Sequence, residues 1–66
     1  AVVSGATITH TGMAEDAERE VKMRERVYPN RVRSGAMPPS RARRQLEVMR
    51  AIAAYHQEMA QSERLL

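Results

Sequence analysis

The stretch "RVYPNRVRSGAMPPS", residues 26–40, decides the fold. If Pro29 ends a helix, the chain is a string of short helices. If the helix runs on to Gly35, the chain is a hairpin of two long ones. A proline inside a helix removes one hydrogen bond and strains the preceding turn, at a cost of about 3 kcal/mol. The apolar register nevertheless does not reset, because Val32 follows Tyr28 by one helical turn. Arg31 and Arg33 precede Gly35, the usual order of basic residues and then glycine at a helix C-terminus. The pattern therefore predicts a first helix over about 14–34, kinked at Pro29, with two shorter helices meeting at an angle as the alternative.

Upstream, "MAEDAEREVKMRERVY", residues 13–28, is rich in good helix formers. Ala14, Ala17, Val21, Tyr28 and Val32 share one helical face, flanked by Met13 and Val27. Glu15, Asp16, Glu18 and Glu20 fall in what would be its first turns, where the helix dipole favours negative charge. Residues 1–12 carry no charge and six β-branched side chains, which suits a flexible arm, or a short strand that pairs across a dimer.

Downstream, "GAMPPS" is the reversal, over 35–38. Gly35 supplies the left-handed conformation, Met37 folds back as an apolar plug, and Pro39 suits a first helical position. The second helix is predicted over about 39–64. Ala42, Leu46, Met49, Ala53 and Ala60 form one stripe on it, and Val48, Ile52, Tyr55 and Met59 a second beside it. Together they cover roughly half the circumference, whereas a hairpin partner needs only about 100°. The second helix thus has one face for the first helix and another left over.

These elements make an all-α fold: a flexible arm over 1–12 and an antiparallel two-helix hairpin over 13–66 that dimerises into a four-helix arrangement. Val21, Val27, Tyr28, Val32, Leu46, Met49, Ile52 and Ala53 are the expected core. Val48, Tyr55 and Met59, with Ile52 at the border, are expected to serve a dimer or another partner. A chain of 66 residues with no cysteine has no disulfide to help it fold, so association is the expected staple. Its five methionines either fill gaps in a helical core or form an adaptable apolar surface.

Catalytic, cofactor and metal signatures are missing. No phosphate-binding glycine loop, zinc-protease helix motif, paired-cysteine motif or serine-hydrolase elbow occurs, and the three glycines are scattered. The four carboxylates near residue 17 read as a solvated helix start rather than an acid–base site. His56 reads as a polar contact at a helix interface, and a symmetry-related pair of His56 side chains would make a dimer pH-sensitive. No catalytic residue, cofactor or metal is assigned.

Charge is more informative. Residues 26–50 hold seven arginines against the single acid Glu47, whereas Glu15, Asp16, Glu18, Glu58 and Glu63 make the other end of a hairpin acidic. Arg41, Arg43 and Arg44 stand at the start of the second helix, where its dipole disfavours cations. Arg31, Arg33, Arg41, Arg43 and Arg44 are therefore expected to bind an anionic partner, if they are more than a solvated surface. Nucleic acid ranks second as that partner. Tyr28 is the only aromatic near, there is no third helix, and no basic region runs into a zipper. No apolar run reaches the roughly 20 residues of a membrane span, and residues 1–12 lack the features of a signal peptide, so a cytoplasmic location is expected.

The segment Glu18–Tyr55 resembles small, mostly uncharacterised proteins of temperate phages and prophages. The resemblance rests on "RVYP", the Val-x-x-Gly-x-Met turn at 32–37, and "VMRAI" at 48–52. Relatives tend to have Thr or Ser after the methionine, where this chain has Pro38 and Pro39. In size and shape the hairpin is also similar to dimeric phage proteins that bind and inhibit host proteins, such as the anti-quorum-sensing type. What the resemblance implies is a non-enzymatic protein of phage origin, with no agreed function to transfer. The leftover apolar face and the arginines add the expectation of a homodimer, in a bacterial host's cytoplasm, that binds and inhibits or modulates a host protein with an acidic or apolar surface. A basic nucleic-acid-binding or regulatory protein, and a small structural subunit of a larger assembly, are the alternatives.

Overall fold

The computed structural model describes residues 8–65. They form two helices, α1 (His10–Arg33) and α2 (Pro39–Leu65), packed against each other as a hairpin. Among the described residues there is no strand.

Helix α1 starts at His10, four residues ahead of the expected 14. Thr9 is the reason. Its backbone is extended (φ −110°, ψ 161°), and its Oγ1 accepts the Gly12 N–H at 3.0 Å, satisfying one of the donors left open at a helix start. The arm expected over 1–12 thus ends sooner, with His10, Thr11 and Gly12 helical; the part over 1–7 lies outside the described residues. The early start also corrects the reading of the acids. Glu15, Asp16, Glu18 and Glu20 sit beyond the first turn, where the dipole has largely faded. Three of them act as partners along and across the helices instead: Asp16 pairs with Arg19, Glu20 with Arg24 at 2.8 Å, and Glu18 accepts from Gln57 of α2.

The helix is continuous across Pro29, at which the Glu25 carbonyl has no intrahelical donor. Packing on both sides of the proline offsets this loss. Tyr28 is 8% exposed and Val32 half-buried, and burying side chains of that size contributes about 1.5–3 kcal/mol each. Tyr28 is also held by polar contacts at its hydroxyl and over its ring. Its hydroxyl donates to Gln45 Oε1 at 3.0 Å. The Arg24 guanidinium lies 6.0 Å from its ring centre while donating to the Gln45 carbonyl oxygen at 3.0 Å.

The reversal closes by backbone hydrogen bonds. Ser34 caps α1, Gly35 takes φ +83°, the Gly35 N–H reaches the Val32 carbonyl at 3.1 Å, and the Ala36 N–H reaches that of Arg31 at 2.9 Å. This is the left-handed glycine cap that satisfies the last carbonyls of a helix. Met37 folds in beneath it, 9% exposed, against Tyr28 and Ala42, with Val27 and Val32 at the margin. Pro39 opens α2, and the Pro38 carbonyl accepts the Ala42 N–H at 3.1 Å. Proline at a first helical position lacks only an N–H that would have no partner there.

Away from the turn the helices meet through alanines. Ala14, Ala17, Ala53 and Ala60 are each 5% exposed or less, and small side chains let helices approach closely. The expected core is corrected accordingly. Val21, Val27, Val32, Leu46 and Met49 are only half-buried, and Ile52 is 41% exposed. Two helices touch along one line, so bulky residues beside that line keep one side in solvent.

Candidate functional site

The seam between the helices leaves the outer flank of α2 uncovered. At about 100° per residue, Val48, Ile52, Tyr55 and Met59 fall within an arc of about 60°, and Ala42, Ala53 and Ala60 lie about 120° round from it. Val48 is 42% exposed, Tyr55 55%, and Met59 half-buried. Met13 of α1 and Met49 border this flank, lining a shallow groove with Ile52 and His56. The arc continues beyond Val48 through Gln45, Arg44 and Arg41, and beyond Met59 through Ser62 and Glu63.

The turn carries the second surface. Arg31 and Arg33 end α1 while Arg41, Arg43 and Arg44 begin α2, so the reversal brings all five to one end of the hairpin. All are exposed, and among the described residues none forms a salt bridge, although Arg33 donates to Asn30. Arg24 and Arg50, further from the turn, do have acids: Glu20 at 2.8 Å and Glu25 at 2.7 Å. Between the helices at this end lies an open apolar groove of about 440 Å³. Tyr28, Pro29, Val32, Pro39, Ala42 and Leu46 line it, and Arg24, Glu25 and Arg43 stand at its edge. Of the three charged residues at the edge, Arg24 and Glu25 are already paired and only Arg43 is not, so the slot suits a partner that offers an apolar side chain with a carboxylate on the Arg43 side.

The opposite end holds a contact that the sequence reading missed. His10 Nδ1 and His56 Nδ1 lie 2.9 Å apart, with their rings stacked at 5.2 Å between centres. One nitrogen donates and the other accepts, which requires opposite tautomers at these atoms. The Tyr55 ring stands edge-on to His56 at 5.1 Å, and Glu63 Oε2 approaches His10 Nε2 at 3.8 Å. His56 is thus a polar contact at a helix interface, made within one hairpin. The signal was the hairpin register: a fold that pairs Tyr28 with Gln45 carries the start of α1 back beside the end of α2. Among the described residues no three His, Asp or Glu side chains are grouped to hold a metal ion. No described helix is long and apolar enough to cross a membrane.

Comparison with known proteins finds no matching family model, no matching curated protein and no matching solved structure.

Proposed function

We propose that this chain is a non-enzymatic interaction protein of phage origin. It works as a homodimer of hairpins in the cytoplasm of a bacterial host and binds a host protein, inhibiting or modulating it by covering a functional surface. The observation that carries this reading is the mismatch between what the hairpin buries and what it displays. Its seam is closed largely by alanines, while Val48, Ile52 and Tyr55 stand more than 40% exposed along one flank of α2. A chain this short gains little from its own core, so covering that flank adds stability that folding alone does not supply. Phage origin rests on the resemblance of Glu18–Tyr55 described above. The arginines of the turn, with Arg43 at the edge of the apolar groove, supply a face for an acidic host protein.

Capture from a bacterial lysate, followed by titration of the purified protein it retains, tests this. The full chain is compared with the R31E/R33E/R43E variant. Saturable binding by the full chain, lost in the variant while helix content is unchanged, is the expected result. Equal binding by both removes the turn from the mechanism, and no saturable protein partner overturns the proposal. The unpaired arginines, in a chain with a pI of about 10.2, favour nucleic acid as the second reading. A mobility shift on DNA or RNA that collapses between low and moderate salt, with no protein partner, would put that reading first.

A further inference from the structure

We propose that the occupant of the exposed α2 flank is a second copy of α2 running antiparallel, with its centre opposite the midpoint between Ala53 and Ala54. The proposal rests on the homodimer above and names its interface, orientation and register.

The pattern of the flank is self-complementary. Val48 and Met59 are equally far from that midpoint, and so are Ile52 and Tyr55. An antiparallel copy therefore sets Val48 against the partner's Met59 and Ile52 against the partner's Tyr55, both apolar layers. The next layer outward matches Gln45 with the partner's Ser62, polar with polar. The steps between the four apolar residues, of four, three and four, are those of a helix–helix seam.

Charge selects the orientation. Arg41 and Arg44 lie at one end of the flank and Glu63 at the other, with Glu58 near that end but about 90° round the helix. Run antiparallel, the arginines of each copy lie along the acids of the other, with Arg41 beside the partner's Glu63 and Arg44 within a long side chain's reach of the partner's Glu58. Run parallel, arginine faces arginine and glutamate faces glutamate, and like charges across a seam are unfavourable. The four side chains are available for this. Among the described residues, Arg41, Arg44 and Glu58 form no salt bridge, and Glu63 is 54% exposed with only the long contact to His10. The arrangement also divides the basic turn. Arg41 and Arg44 belong to the seam between copies, and Arg31, Arg33 and Arg43 stay free for a further partner.

Because the chain has no cysteine, introduced thiols report the pairing directly. The V48C and M59C single variants and the V48C/M59C double variant are oxidised at micromolar concentration and run on a non-reducing gel, and the wild type is sedimented alongside. Within one chain the two positions are about 16 Å apart, too far for a disulfide. The expected result is a wild-type dimer and a double variant that crosslinks to dimer several-fold more than either single variant. A single variant that crosslinks as well as the double overturns the antiparallel seam in favour of a parallel one. A wild-type dimer in which no variant crosslinks overturns this interface while leaving the homodimer standing. A wild-type monomer at every concentration overturns both. As a second readout, R41E/R44E should dissociate the dimer, and adding E58R/E63R should restore it; failure of that rescue sinks the charge pairing.

Discussion

Replacing Tyr28 separates the two contributions that hold the turn end together. Y28F removes only the hydroxyl, and with it the 3.0 Å hydrogen bond to Gln45 Oε1. Gln45 is exposed and regains water, so the loss should be about 0.5–1 kcal/mol. Y28A removes the ring that Met37 and Ala42 pack against and that Arg24 lies over. Aromatic-to-alanine changes in a core cost about 3–5 kcal/mol; the open groove beside this ring gives room for relaxation, which places Y28A near the lower end, at about 3 kcal/mol. A chain of this size has a total stability of only roughly 3–10 kcal/mol. Y28A should therefore be largely unfolded by about 40 °C, and Y28F should melt only a few degrees below wild type. The assay is circular dichroism at 222 nm during thermal and urea unfolding. Protein concentration is held fixed, because association adds to apparent stability. If Y28A loses less than about 1 kcal/mol, the turn cluster is not the principal core and the account of how α1 survives Pro29 is wrong.

Three further substitutions probe other links. A53L inserts a large side chain into the alanine seam, where Ala53 is 5% exposed, and should destabilise by about 1–3 kcal/mol in urea titration; a neutral result means the helices are not in close contact there. P29A restores a donor for the Glu25 carbonyl and should raise the melting temperature, with a gain of up to about 3 kcal/mol, since Pro29 itself is exposed and packs little. T9A removes the cap on Gly12 and should cost about 1 kcal/mol, with amide exchange accelerating first at Thr11, Gly12 and Met13.

The two helices and their reversal were legible because local chemistry and pattern agreed. Arg31, Arg33, Gly35, Met37 and Pro39 each occupy the position that their side-chain physics suggested. The start of α1 was not legible. Thr9 sits among β-branched residues that favour extended backbone, and its capping role shows only once the Gly12 N–H is seen pointing at it. The faces were right but their depth was not. Ala53 was assigned to the core and is buried, but Ala14, Ala17, Ala42 and Ala60, on the same predicted stripes, were passed over for larger neighbours such as Val21 and Ile52. Hydrophobicity ranks residues by size, whereas two cylinders in contact bury what lies on the contact line. The candidate site was legible as a surplus of apolar surface on α2 and as unpaired arginines. The His10–His56 contact was hidden because it joins opposite ends of the chain.

The lengthwise sorting of charge has a kinetic consequence. A body 45 Å long with most of its unpaired cations at its turn and several carboxylates toward its open end has its charge sorted lengthwise, which gives it an electric dipole along that length. Two such molecules drifting together side by side feel a torque before any atoms touch, and it turns them antiparallel. Added salt should shorten the range of that torque and slow the encounter, and, by screening the exposed charge pairs of the seam, shorten the lifetime of the assembled pair as well.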